Sequence, residues 1–280
     1  MIKITILIEN ESKDERLEAE SGFSAYVETG DIRILFDTGE KGGFVRNARN
    51  LSVDLSKTTH VVFSHGHDDH TGGLQTWLDE SDFNHISLGG KMQLIAHPDT
   101  LYEKRLMLKS GDYAPLNTLN ISSMNKYFEI HTVKEPLRLT PEIYFLGEIP
   151  RHHPFEGKGI IGEAFRDGKW HPDHILDDSA LAIQTEKGLV ILTGCSHAGI
   201  CNIVSYAKKV MGEERIVDII GGLHLYSSEP ADIEATAGFL EEQKVKAVHA
   251  CHCTGENALD ILGRRLKTGE AHTGDIFEFR

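Results

Sequence analysis

Thr59-His60-Val61-Val62-Phe63-Ser64-His65-Gly66-His67-Asp68-Asp69-His70-Thr71-Gly72-Gly73 carries an apolar, β-favouring run into a loop crowded with imidazoles and carboxylates. Four of the six residues from 65 to 70, namely His65, His67, Asp69 and His70, are good donors for a borderline divalent ion, and none of the six is apolar. Alternate residues on a tight turn can face the same way, so His65 and His67 can grip one ion while Asp69 and His70 reach a second position. A structural zinc site normally draws on thiolates and closes all four positions; a histidine and carboxylate site leaves room for water and substrate. A solvated, histidine-rich surface turn is the plainer alternative. The strand before the loop, the glycines after it and the helix start at 74–78 count against that reading.

Outward from this loop the chain reads as alternating strands and helices. Residues 2–8 alternate as an opening strand, and 23–28 and 32–36 flank Thr29-Gly30-Asp31 as a hairpin ending in Asp37-Thr38-Gly39. A short helix at 44–50 precedes the strand at 59–64. Residues 91–173 are expected to form an inserted α/β cap, with strands at 92–96, 128–133 and 143–146 and a helix at 101–108. From Ala180 the pattern is regular, with strands at 189–193, 216–220 and 245–250. They run into Gly194-Cys195-Ser196-His197, Gly221-Gly222-Leu223-His224 and Cys251-His252-Cys253-Thr254-Gly255, and each is followed by a helix. Strand and helix in alternation imply an α/β layered fold.

Composition narrows the function. The 280 residues carry 43 acidic and 29 basic side chains, a net charge of −14, which argues against broad binding to nucleic acid or anionic membrane. There is no apolar run of about 18 residues and no basic, apolar leader at the start, so a cytoplasmic location is expected. The cysteines at 195, 201, 251 and 253 form neither a disulfide framework nor a paired zinc ribbon and read as reduced thiols. The unusual count is histidine, at 16, several of them placed where turns follow apolar strands.

The loop at 64–73 and the late Gly194-Cys195-Ser196-His197 and His252-Cys253-Thr254-Gly255 segments closely resemble the metallo-β-lactamase superfamily, whose signature is His-x-His-x-Asp-His. Thr193-Gly194-Cys195-Ser196-His197-Ala198-Gly199 and Gly221-Gly222-Leu223-His224-Leu225 are similar to the branch named for a dihydropterin-ribofuranosylaminobenzene-phosphate synthase, most of whose members are called metal-dependent hydrolases. The resemblance implies an αββα sandwich with the cap inserted at 91–173. It implies two divalent metal ions, zinc foremost, with manganese, magnesium or iron as alternatives. One ion falls to His65, His67 and His197, the other to Asp69, His70 and His252. The superfamily usually bridges its ions with an aspartate where Cys195 stands, so Asp178, a Cys195 thiolate or a hydroxide alone is left to bridge. His197 stands in for a separate early histidine motif that is missing here.

Other residues are weighed against plainer roles. His224 follows two glycines at a strand end and is assigned substrate binding or proton transfer, against a simple backbone contact. Asp37 is expected to hold the metal loop from behind. Arg151, His152 and His153 read as exposed turn residues rather than pocket residues. Along 245–254, His249, Cys251 and Cys253 share one strand face and Val248, Ala250 and His252 the other. A fully extended strand therefore turns both cysteines away from His252, as small buried residues, and makes His249 a packed core histidine.

The expected function is hydrolysis of a small polar, phosphorylated or otherwise acidic metabolite by metal-activated hydroxide, with Asp69 orienting the nucleophile. The rival enzyme is a transferase that joins a dihydropterin-methyl diphosphate to a ribofuranosylaminobenzene phosphate and releases pyrophosphate. Redox chemistry is disfavoured because diiron relatives usually place Glu where His67 stands. A non-enzymatic binding module would instead close its coordination around a structural ion. The expected partner is a small-molecule substrate, with no nucleic acid and no membrane.

Overall fold

The computed structural model describes residues 1–81, 90–117 and 119–280. The chain divides into two units, one of residues 1–133, 160–177 and 272–279, the other of 134–159, 178–271 and residue 280. In chain order the first unit supplies β1 (Ile2–Ile8), β2 (Ser24–Thr29), β3 (Ile32–Phe36), β4 (His60–Val62), β5 (Met92–Ala96), β6 (Lys104–Met107), β7 (Tyr113–Pro115) and β8 (Phe128–Thr132). After β9 (Leu137–Arg138) and β10 (Ile143–Phe145) of the second unit, it adds β11 (Glu163–Arg166) and β12 (Lys169–Pro172). The second unit continues with β13 (Ala180–Thr185), β14 (Gly188–Thr193), β15 (Ile216–Gly222), β16 (Val248–Cys251) and β17 (Thr268–Glu270), and β18 (Ile276–Phe279) returns to the first.

Within the first unit a seven-stranded sheet runs in the order β18-β1-β2-β3-β4-β5-β8. The expected hairpin pairs Thr29 with Ile32 and Ala25 with Phe36, while β3, β4, β5 and β8 run parallel. Parallel neighbours need crossovers, supplied between β3 and β4 by the helix Gly43–Asn50 and between β4 and β5 by Gly73–Glu80. These helices lay Phe44, Val45, Leu74 and Trp77 into a core with Leu35, Val61 and Leu94. β1 is buried on both faces, all its residues except Lys3 being closed to solvent.

The second unit has its own seven-stranded sheet, ordered β17-β16-β15-β14-β13-β10-β9. Its strands β14 to β17 are parallel, and their crossovers are the helices Ile200–Met211, Pro230–Glu242 and Glu256–Gly263. In the first of these, Ile203, Val204 and Ala207 of the stripe Ile203, Val204, Ala207 and Val210 that helical spacing predicts are buried together with Ile200, and Val210 packs half-buried against the same core. Burial of each Ile or Val there contributes about 1.5–3 kcal/mol.

The segment expected as a single cap is divided among three sheets. β5 and β8 extend the first sheet, β9 and β10 the second, and β6, β7, β11 and β12 form a four-stranded sheet of their own. Residues 101–108, expected as a helix, instead end a 3-10 turn and enter β6, which pairs with both β7 and β11. The leucines behind the helical reading, Leu106 and Leu108, are exposed, whereas Lys104 is buried. The buried position of this strand is thus a charged one, which hydrophobic periodicity cannot register.

Candidate metal centre

At the end of β4 the chain turns through Ser64-His65-Gly66 and then makes one helical turn, Asp68–Thr71. His65, His67 and His70 are buried. The Nε2 of His65 lies 3.1 Å from the Nδ1 of His67, and the His65 and His70 ring centroids are 4.3 Å apart. Asp69 Oδ1 stands 3.8 Å from His70 Nε2. Two donors on one tetrahedral ion, each about 2.0–2.1 Å from it, stand roughly 3.3 Å apart, so the His65–His67 separation fits two ligands of one cation. Burial first, and the Lys104 cation second, hold His67 down at about 4. The ring is therefore neutral at physiological pH, as a metal ligand must be.

Asp37 sets the orientation of these rings. It follows β3 at a left-handed φ of 57°, and its Oδ1 accepts the Ser64 amide at 2.7 Å. Its Oδ2 accepts both the Ser64 hydroxyl at 2.6 Å and the Nδ1 of His70 at 2.7 Å. The single hydroxyl proton of Ser64 is thus spent on the carboxylate, so at 2.9 Å its oxygen accepts from His65 Nδ1. Both His65 and His70 are left with Nε2 as the lone-pair atom. The expected supporting role of Asp37 is visible in these bonds, which fix tautomer as well as position.

A second support is one the sequence reading missed. Asp177 Oδ2 accepts the Gly66 amide at 2.8 Å, and its Oδ1 pairs with Lys104 Nζ at 2.8 Å. Lys104 also meets Asp173 at 2.8 Å. No motif marks these residues: Lys104 lies 73 positions from Asp177 in sequence, and nothing in that spacing suggests that they meet.

In the second unit the donors stand at the carboxyl ends of parallel strands, where open α/β sheets place their ligand sites. Each of β14, β15 and β16 is followed by a non-glycine residue with left-handed backbone: Ser196 at 60°, His224 at 50° and His252 at 52°. Such conformations cost on the order of 1–3 kcal/mol each and cluster at functional sites. The His197 and His224 ring centroids are 4.2 Å apart. Gly221 and Gly222 are required here, because a Cβ on the first would meet the Thr193 carbonyl oxygen at 1.9 Å and one on the second the Gly194 carbonyl oxygen at 2.5 Å. Ser196 closes the turn by donating to the Gly222 carbonyl at 2.7 Å.

β16 ends at Cys251, and His252 is left-handed, so the alternation of faces stops before Cys253. Cys253 is half-buried rather than a core thiol, and its sulfur accepts the His224 amide at 3.2 Å and lies 3.5 Å from the Cys195 carbonyl. Burial opposes ionisation of this thiol. Its contact with Cys195 and the imidazoles of His252 and His224 outweigh that effect and hold it well below the usual thiol range. His249 is likewise only half-buried, pairing at 2.9 Å with Asp218.

The sequence profile described as the metallo-beta-lactamase superfamily matches residues 17–252. The chain belongs to the metallo-β-lactamase superfamily. Among its relatives is the 7,8-dihydropterin-6-methyl-4-(beta-D-ribofuranosyl)-aminobenzene-5'-phosphate synthase of Methanocaldococcus jannaschii, 31% identical over 92% of this chain and 88% of that protein. A solved structure described as Tm1679, a metal-dependent hydrolase of the beta-lactamase superfamily, is 31% identical with a TM-score of 0.82 and covers 99% of both chains. Zn(2+)-bound PqqB from Methylobacterium extorquens, at 13% identity and a TM-score of 0.55 over 99% of this chain and all of that one, shares the fold. The metallo-β-lactamase fold expected from the sequence is thus the fold of this chain.

Other candidate residues of this superfamily member have structural partners. Asp178, considered as a bridging carboxylate, is buried and accepts the Ala198 amide at 2.9 Å. The amides of His152 and His153 both donate to Asn202 Oδ1, and the His153 ring packs on Phe239 at 4.6 Å. His152 is exposed, as a turn residue is expected to be.

Proposed function

We propose that this protein is a metal-dependent hydrolase of a small polar, phosphorylated or otherwise acidic metabolite. The observation that carries the reading is the paired presentation of His65 Nε2 and His67 Nδ1, 3.1 Å apart, on a loop braced by Asp37. In this reading His65, His67 and His197 hold one divalent ion, zinc by preference, and Asp69, His70 and His252 hold the other. Bound divalent ions supply Lewis acidity and lower the pKa of water toward neutrality. Asp69 orients the attacking water, and His224 binds the substrate or hands a proton to the leaving group. The name of the metal-dependent hydrolase at 31% identity supports the same reading.

The test is turnover of a panel of phosphoesters, esters and lactones by metal-loaded protein. Chelation should remove activity, zinc or manganese should restore it, and His67→Ala should abolish it. Unchanged turnover in His67→Ala or in the stripped protein would overturn the reading. The synthase relative from Methanocaldococcus jannaschii favours a second reading, condensation with loss of pyrophosphate. Pyrophosphate release that requires an aromatic ribosyl phosphate as co-substrate would select it; turnover with water alone selects the hydrolase.

A further inference from the structure

The ligand atoms of Cys195, His224 and Cys253 all lie within 4.8 Å of one another. None of the three is among the six ligands assigned above. They arrive from three different strand ends, β14, β15 and β16, so local chain proximity does not explain their meeting. The backbone is shaped around the group. A Cβ at Gly222 would stand 2.7 Å from Cys253 Sγ, so glycine there is what admits the sulfur. His224, whose amide donates to that sulfur, and His252, the residue before Cys253, both hold left-handed conformations.

The plain alternative is two small thiols filling space, as Cys201 and Cys251 do. Those two are buried and, among the described residues, join no group of metal-capable donors. Cys253 differs in standing beside a second thiol and an imidazole. A pair of sulfurs with one nitrogen is a soft donor set that favours zinc over magnesium or manganese.

We propose that Cys195, His224 and Cys253 form a binding site for one thiophilic divalent ion, zinc by the nature of the donors, built from residues of the second unit alone. Three protein ligands complete all but one position of a tetrahedral ion, and the last is open to water or a substrate sulfur, oxygen or nitrogen. His224 is then a ligand in addition to, or in place of, its proton-transfer role, and Cys195 is a thiolate donor rather than a substitute bridge.

Cobalt(II) titration of the full chain tests this, because a thiolate–cobalt bond gives a charge-transfer band in the near ultraviolet that histidine and carboxylate sites lack. Wild-type protein should show the band. Cys253→Ser should weaken it severalfold and bind one cobalt ion fewer per chain, while Cys201→Ser should change neither. His65→Ala should keep the band while losing turnover, which separates this site from the hydrolase reading. Should Cys253→Ser fold poorly, zinc protection of Cys253 from alkylation in the wild-type chain gives the same answer. Absence of the band, a band and stoichiometry unchanged in Cys253→Ser, or equal alkylation with and without zinc would each overturn the proposal.

Discussion

Lys104 Nζ lies 2.8 Å from Asp177 Oδ1, and the other oxygen of that carboxylate accepts the amide of Gly66, between His65 and His67 of the candidate metal loop. A strand of the small sheet is thereby tied to the loop through one buried ion pair. Burial opposes the charge on Lys104, but the Asp177 and Asp173 carboxylates outweigh it and raise the ammonium above its ordinary value. Burial likewise opposes ionisation of Asp177, and Lys104 reverses that effect. Lys104→Met leaves two buried carboxylates without their cation, which should cost about 3–5 kcal/mol. Urea unfolding at neutral pH measures this, and a wild-type midpoint would show that the pair carries no stability. Lys104→Met/Asp177→Asn should lose less than the two single losses added together, because the carboxylate that Lys104 neutralises is then gone.

Asp37 spends its two oxygens on three donors, the Ser64 amide, the Ser64 hydroxyl and His70 Nδ1. Asp37→Asn keeps the shape but offers one acceptor oxygen and a donor, so the bond that orients His70 or the one that orients Ser64 is lost. Zinc affinity should fall about 10–100-fold. Competition against a chromophoric chelator reads this directly, with circular dichroism showing that the fold persists. Wild-type affinity in the variant would mean that the histidine rings are held by other contacts.

Gly22 has a φ of 109°, and a Cβ there would stand 1.7 Å from the carbonyl oxygen of Asp69. Gly22→Ala must therefore push the metal loop as well as strain its own backbone. Gly30, at a φ of 50° in the hairpin turn, has nothing within 4 Å of its Cβ position. Gly30→Ala should carry only the backbone penalty, on the order of 1 kcal/mol. Zinc affinity and melting temperature should both drop in Gly22→Ala, whereas in Gly30→Ala only a small drop in melting temperature is expected. Equal effects at the two positions would show that the contact with Asp69 is readily relieved.

The regular half of the fold was legible in the sequence because strand, glycine-bearing turn and amphipathic helix repeat there with compatible periods. Donors such as His197 and His252 stand out at the ends of those strands. The histidine loop was legible by residue type alone, since no core position would tolerate so many polar groups without a use for them. Two kinds of feature escaped. Lys104 occupies a buried position where only tertiary ion pairing makes a lysine acceptable, so its strand looked like a helix. Cys253 was misplaced because the alternation rule holds only while backbone stays extended, and the left-handed turn at His252 breaks it one residue earlier. Left-handed conformations of residues other than glycine leave little trace in composition, yet they mark each strand end that carries a candidate donor in the second unit.

Glu156 offers a pH test of the second unit. Its carboxylate accepts the amides of Cys201 at 3.1 Å and Asn202 at 2.7 Å, in the first turn of the helix Ile200–Met211. Gly199, at the start of that helix, has no side chain to cap it, and a Cβ there would stand 2.2 Å from the Glu156 carboxyl carbon. A distant carboxylate therefore does the capping, at the cost of leaving water. Burial outweighs the two amide bonds and pushes Glu156 up from 4.5 to about 7. With the folded value above the unfolded one, the folded chain holds this proton more tightly. The resulting stability is fully present below 4.5 and is lost as pH rises toward about 7. After allowance for screening at a partly exposed site, the loss should be on the order of 1–2 kcal/mol. Glu156→Gln cannot titrate, so the difference in unfolding free energy between wild type and variant should change by that amount across the same interval. A difference that is flat with pH would mean that the amides, and not burial, set the charge of this carboxylate.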